Sequence, residues 1–193
     1  PTPPNPKFPP PFPTILMNRR HFLAATATAS AATGLAPLLR AAAKAGRPPR
    51  ILLRSSWQSV NIGDVGHTPG ALNILEQRFP EAELMLWPGS LGHGSRDLLT
   101  KAFPRLRIVE GSVGADGKPT TPALTQAWAD ADLYLSGSGS GFPAANHAVA
   151  FQKATGKPVG VFGVSSDPIS GFGAGRDPEG GTLNNLRARI EKL

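Results

Sequence analysis

From residue 50 onward, short apolar runs alternate with apolar stripes at helical spacing. Arg50-Ile51-Leu52-Leu53-Arg54-Ser55-Ser56 reads as a buried strand. Thr68-Pro69 predicts a helix start, with threonine as N-cap and proline at the first helical position. Ala71, Leu72, Leu75 and Phe79 share one face of that helix. A second strand is expected at about Glu83–Trp87, then a helix from about Arg96 to Phe103 capped by Ser95. Arg107-Ile108-Val109 predicts a third strand, and Thr121-Pro122 opens a helix through Trp128. Leu133-Tyr134-Leu135 is the fourth strand, Asn146–Thr155 a helix, and Pro158 to Val164 the fifth strand.

Short apolar strands without strict polar alternation imply a sheet covered on both faces. Helices between them impose right-handed crossovers and parallel strands. The expected fold class is α/β, a doubly wound, Rossmann-like parallel sheet over residues 46–193. Leu183, Leu186, Ile190 and Leu193 form an apolar stripe on a last helix that lacks a stop signal. Such a stripe needs a partner surface, so the domain reads as truncated at its C-terminus.

The first 45 residues follow another pattern. Residues 1–16 are proline-rich and aperiodic, a composition that stays disordered. From Met17, the run Asn18-Arg19-Arg20-His21-Phe22-Leu23 precedes a weakly apolar stretch and the small-residue sites Ala41-Ala42-Ala43 and Ala43-Lys44-Ala45. Residues 17–45 therefore resemble a twin-arginine export signal, and the expected location is periplasmic or otherwise exported. If the segment is instead an Ala-rich helix ahead of the domain, the protein stays in the cytoplasm. The stretch is too short and too weakly apolar for a stable membrane span.

Charge sharpens this division. The net charge of +7 would suggest nucleic acid as a partner. However, Lys7, Arg19, Arg20, Arg40, Lys44, Arg47 and Arg50 all fall in the first fifty residues, which hold no acid. The other 13 basic residues balance the 13 acids, so no basic surface remains for nucleic acid. The chain has no cysteine, which excludes disulfides, thiolate nucleophiles and iron–sulfur ligation.

Candidate chemistry gathers after the first and fourth strands. Asn61-Ile62-Gly63-Asp64 supplies an amide, a glycine and a carboxylate where ligands bind in open α/β sheets. Asp64 and His67 are three residues apart, a spacing that suits a general acid/base pair. Ser136-Gly137-Ser138-Gly139-Ser140-Gly141 reads as a turn whose amides and hydroxyls suit sugar hydroxyls or an anion, or as a plain tight connection. Trp57 and Trp87 are either sugar-stacking rings or ordinary packing, and His93 and His147 lack a partner at metal-ligand spacing. No metal and no cofactor are expected.

The glycine motifs of known cofactor sites fail. Dinucleotide fingerprints begun at Gly137, Gly92 or Gly171 meet Phe142, Asp97 or Arg176 where a small residue is required. Gly156-Lys157 has Phe151 where a phosphate loop needs glycine. A serine-hydrolase elbow at 137–141 would centre on Gly139 instead of serine.

Asn61-Ile62-Gly63-Asp64 after the first strand, the 136–141 serine–glycine run after the fourth, and Gly156-Lys157-Pro158-Val159-Gly160-Val161-Phe162-Gly163-Val164-Ser165 together resemble the N-terminal half of the polysaccharide pyruvyl transferase family. The resemblance covers roughly residues 50–170. It implies one half of a two-domain, GT-B-like architecture that transfers a pyruvyl group from phosphoenolpyruvate to a cell-surface glycan sugar. The resemblance reaches Asn61, Gly63, Asp64 and the glycines at 137, 139 and 141, and implies an acid/base or acceptor-orienting role for Asp64 and substrate binding for the others; the family often has consecutive glycines in the second run, where this sequence alternates them with serine. His67 and Ser136, Ser138 and Ser140 join the candidate substrate contacts on the reading of the residues themselves. The implied partners are a glycan acceptor, the small anionic donor and a C-terminal domain in cis that carries most donor contacts, so residues 46–193 alone should be inactive. Phosphoenolpyruvate is cytoplasmic, whereas the leader directs export. Either the donor differs, the leader is misread, or the fold serves another use. A nucleotide-sugar glycosyltransferase and a non-catalytic glycan-binding module stand as the alternatives.

Overall fold

All neighbouring strands run parallel, because every strand is joined to the next by a helical crossover or a returning loop and helix. The computed structural model describes residues 46–55, 59–140, 142, 144–165 and 191. The order is β1 (Arg50–Ser55), α1 (Ile62–Arg78), β2 (Glu83–Pro88), α2 (Ser95–Ala102), β3 (Arg107–Ile108), α3 (Pro122–Asp130), β4 (Leu133–Ser140), α4 (Ala145–Thr155) and β5 (Val159–Ser165). The sheet reads β3-β2-β1-β4-β5. The fold is α/β and Rossmann-like. The leader and the leucine stripe at 183–193 lie outside the described residues. No helix among the described residues is long and apolar enough to cross a membrane.

Alternation along the strands divides the core between two faces. Leu52, Met85, Trp87 and Tyr134 point to one face, where Leu124, Ala127 and Trp128 of α3 and Ala148 and Phe151 of α4 cover them. Trp128 meets Phe151 edge-on at 5.6 Å, and Trp87 meets Trp128 at 6.1 Å. The opposite face carries Leu53, Ser55, Leu135 and Gly137, with α1 packed over β4 and β5. Each fully buried leucine or aromatic contributes about 1.5–3 kcal/mol relative to exposure.

The amino edge is held by ions. Arg47 makes a two-pronged contact with Asp132 at 2.7 and 2.8 Å, and Asp132 also accepts the Arg50 amide. Burial opposes ionisation of Asp132, but the Arg47 and Arg50 hydrogen bonds prevail and lower its pKa. Lys157, from the Gly-Lys pair, donates to the Trp128 and Ala129 carbonyls at 3.1 and 2.6 Å. Its role is to satisfy carbonyls of the last turn of α3.

Three elements depart from the sequence expectation. Helix α1 begins at Ile62, seven residues before Pro69, because Asn61 caps it: the Asn61 side chain accepts the Gly63 amide at 2.9 Å. Pro69 consequently lies inside the helix, and Thr68 is a buried helical residue instead of a cap. Ser136 to Ser140 continue β4 and pair with β5, so they are strand, not turn. Ser95 is the first residue of α2, with Gly94 at the cap position, and its hydroxyl donates to the Gly92 carbonyl at 2.7 Å.

Candidate functional site

The chain leaves β1 outward to β2 and β3, then returns to lay β4 on the other side of β1. The point where strand order reverses is therefore between β1 and β4. In open parallel sheets a crevice forms there, beyond the carboxyl ends of the strands.

Both sequence motifs border this point. Asn61, exposed, caps α1 just after β1, with Gly63 and Asp64 in the first helical turn. His67 is exposed in the next turn of α1, one i,i+3 step from Asp64. Ser136 and Gly137 are buried in β4, opposite Val161 and Phe162 of β5. Gly139 and Ser140 pair with Val164 and Ser165, and Ser138 lies between Gly137 and Gly139 in the strand. Gly141 and Trp57 lie outside the described residues.

Gly137 is required by close approach. A Cβ there would stand 3.0 Å from Leu53 Cδ1 and 3.3 Å from the Phe162 carbonyl oxygen. Beside it, Ser55 Oγ at the end of β1 meets Thr68 Oγ1 of α1 at 2.8 Å, both side chains buried. This hydroxyl pair fixes where α1 crosses the strand end, and it explains the burial of Thr68.

On the other face Arg54, Trp87 and His147 come together at the same strand ends. Arg54 is buried, with its guanidinium 4.6 Å from the centre of the Trp87 ring. It donates through one terminal nitrogen to the Trp87 carbonyl at 3.1 Å and through Nε to His147 Nδ1 at 3.3 Å. The His147 ring stacks on Trp87 at 4.9 Å and 14°. Burial lowers the Arg54 pKa to about 10, so the group stays charged at neutral pH. Burial, reinforced by the Arg54 charge, lowers His147 to about 4 and keeps it neutral. Burial also raises the Tyr134 hydroxyl pKa. Trp87 is wholly enclosed and donates from Nε1 to the Gly111 carbonyl at 2.8 Å, so it packs and does not offer a face to a sugar.

His93 acquires a partner that the sequence did not reveal. Its Nδ1 lies 2.9 Å from Ser59 Oγ, and Ser90 donates to the same oxygen at 3.4 Å. His93 has φ +52°, in the left-handed region, which turns the chain sharply before α2. No cluster of three or more acidic or histidine side chains suited to a metal occurs among the described residues.

Sequence reasoning did not identify Arg54 as part of the edge. Its signal is a charge inside an apolar strand, four residues after Arg50. His147 gave no comparable signal, since its partner is 93 residues away.

No protein-family model matches this sequence, and no curated protein matches it. Among solved structures, a short-chain dehydrogenase/reductase (wide type) from Veillonella parvula DSM 2008, in complex with NADP, is similar at 18% identity and a TM-score of 0.46. The match covers 74% of this chain and 63% of that one.

Proposed function

We propose that this domain is the acceptor-side half of a transferase that moves a pyruvyl group from phosphoenolpyruvate to a sugar of a cell-surface glycan. One observation carries the reading. The Asn61-Gly63-Asp64 helix start and the Ser136–Ser140 strand end, which bear the resemblance to polysaccharide pyruvyl transferases, border the same switch point between β1 and β4.

The chemistry assigns roles to these groups. Two acceptor oxygens bond to C2 of phosphoenolpyruvate while its bond to the phosphate oxygen breaks. One acceptor proton goes to C3, which becomes a methyl group, and the other leaves with inorganic phosphate. Asp64 takes a hydroxyl proton or orients the acceptor, and His67 shares that proton. The end of β4 approaches ligand hydroxyls through residues without bulky side chains. The donor's carboxylate and phosphate require cationic groups, which the family resemblance assigns to a C-terminal half.

Assay of the protein bearing that half, with phosphoenolpyruvate and with nucleotide sugars as separate donors, tests the reading. Ketal formation with phosphate release supports it. Glycosyl transfer from a nucleotide sugar replaces it with the glycosyltransferase alternative, and glycan binding without turnover of either donor replaces it with the binding module. Export by the twin-arginine leader is part of the proposal. Arg19→Lys with Arg20→Lys should hold the protein in the cytoplasm, and unchanged export would remove the leader from the account.

A further inference from the structure

A cavity of about 620 Å³ lies between the first turns of α4 and the loop joining β3 to α3. Its size falls within the range of small-ligand sites, about 300–1,000 Å³. The α4 wall is a helical stripe of Ala145, Asn146, Val149 and Lys153, with Phe142 beside it. Asp116 stands on the loop wall.

That loop is an ordered hairpin. Val113 and Pro119 form an antiparallel bridge, and the Gly114 amide donates to the Lys118 carbonyl at 2.8 Å. Asp116 Oδ1 accepts the Lys118 amide at 3.1 Å, which holds the carboxylate at the tip. Asn146 and Lys153 make no side-chain hydrogen bond among the described residues, and both are exposed.

The mixture of groups selects among ligands. A small anion would suit Lys153 but would meet the Asp116 carboxylate. A purely apolar ligand would strip water from three polar side chains and return no partner. A saccharide satisfies all of them. Each hydroxyl both donates and accepts, so separate hydroxyls along the ligand can serve Asp116, Asn146 and Lys153, the last two standing two turns apart on α4. The C–H faces of the ring would lie on Ala145 and Val149.

We propose that this cavity is a saccharide subsite, with Asp116, Asn146 and Lys153 as its polar contacts. It goes beyond the transferase reading, because binding here requires neither a donor nor turnover.

The test is a backbone amide NMR titration of the 193-residue chain with lactose, cellobiose, maltose and chitobiose, and separately with inorganic phosphate. At least one disaccharide should shift the amides of Asp116, Asn146, Val149 and Lys153. Asp116→Asn keeps the acceptor for the Lys118 amide and removes the charge, so it should weaken binding about fivefold. Val149→Phe fills the cavity and should weaken binding at least about tenfold. Spectra elsewhere in the variants should match those of the parent chain. The proposal is overturned if no disaccharide shifts these amides, if phosphate alone does, or if both folded variants bind as the parent does.

Discussion

Arg54 Nε and His147 Nδ1 meet at 3.3 Å over the flank of Trp87, joining the end of β1 to the first turn of α4. The contact requires an unprotonated Nδ1, since Arg54 has only donors to offer. A neutral imidazole is therefore part of how the carboxyl edge is held.

Acid should loosen this contact in a defined window. The His147 pKa falls from an ordinary 6.5 to about 4 on folding, so between these values the unfolded chain binds more protons. The stabilisation is complete above pH 6.5 and is lost as pH falls toward 4. His147→Phe keeps a ring on Trp87, removes the acceptor, and should lower stability at pH 7 by about 1–3 kcal/mol. Thermal melts of both proteins from pH 7 to pH 4 should show a flatter dependence in the variant; parallel curves would count against the contact. Asp130, held low by its Arg107 hydrogen bond, and Asp132 both titrate below their ordinary 3.8, outside this window.

Ser55 and Thr68 should behave as a coupled pair. Thr68→Val leaves the buried Ser55 hydroxyl without this partner and should cost about 1–3 kcal/mol. Adding Ser55→Ala should recover part of that loss. Urea denaturation of the two single variants and the double variant measures the coupling, and strict additivity would show that the hydroxyls act separately.

Two glycines should respond oppositely to alanine. Gly137→Ala forces a Cβ against Leu53 and the Phe162 carbonyl and should cost about 1–3 kcal/mol. Gly66, inside α1, has nothing within 4 Å of an added Cβ, so Gly66→Ala should gain about 0.5–1 kcal/mol. Chemical denaturation of the two variants checks the opposite signs.

These contacts also show what the sequence reveals and what it hides. The start of α3 is legible because its two signals are adjacent: Thr121 accepts the Leu124 amide and Pro122 follows. The start of α1 is ambiguous because Asn61 and Thr68-Pro69 are both helix-start signals. Asn61 forms the cap, and the Thr68 hydroxyl lies against Ser55, a tertiary contact invisible in local pattern. The run at 136–140 looks like a turn because glycine and serine are poor strand formers, yet pairing with β5 extends the strand through it. Of the candidate site, the placement of Asn61, Gly63, Asp64 and the end of β4 at the carboxyl edge was legible. The Arg54–Trp87–His147 stack was not, since it joins residues far apart in the chain.

Pyruvyl transfer at the edge beginning at Asn61 and Asp64 is the proposal on which the other assignments rest. The most direct measurement is phosphate release from phosphoenolpyruvate, with and without a glycan acceptor, by the protein bearing the implied C-terminal half and by its Asp64→Ala variant. Acceptor-dependent release is expected, reduced about 10²–10⁴-fold in the variant while its fold is retained. Equal rates from the two proteins, or no release with any glycan acceptor, would contradict the proposal.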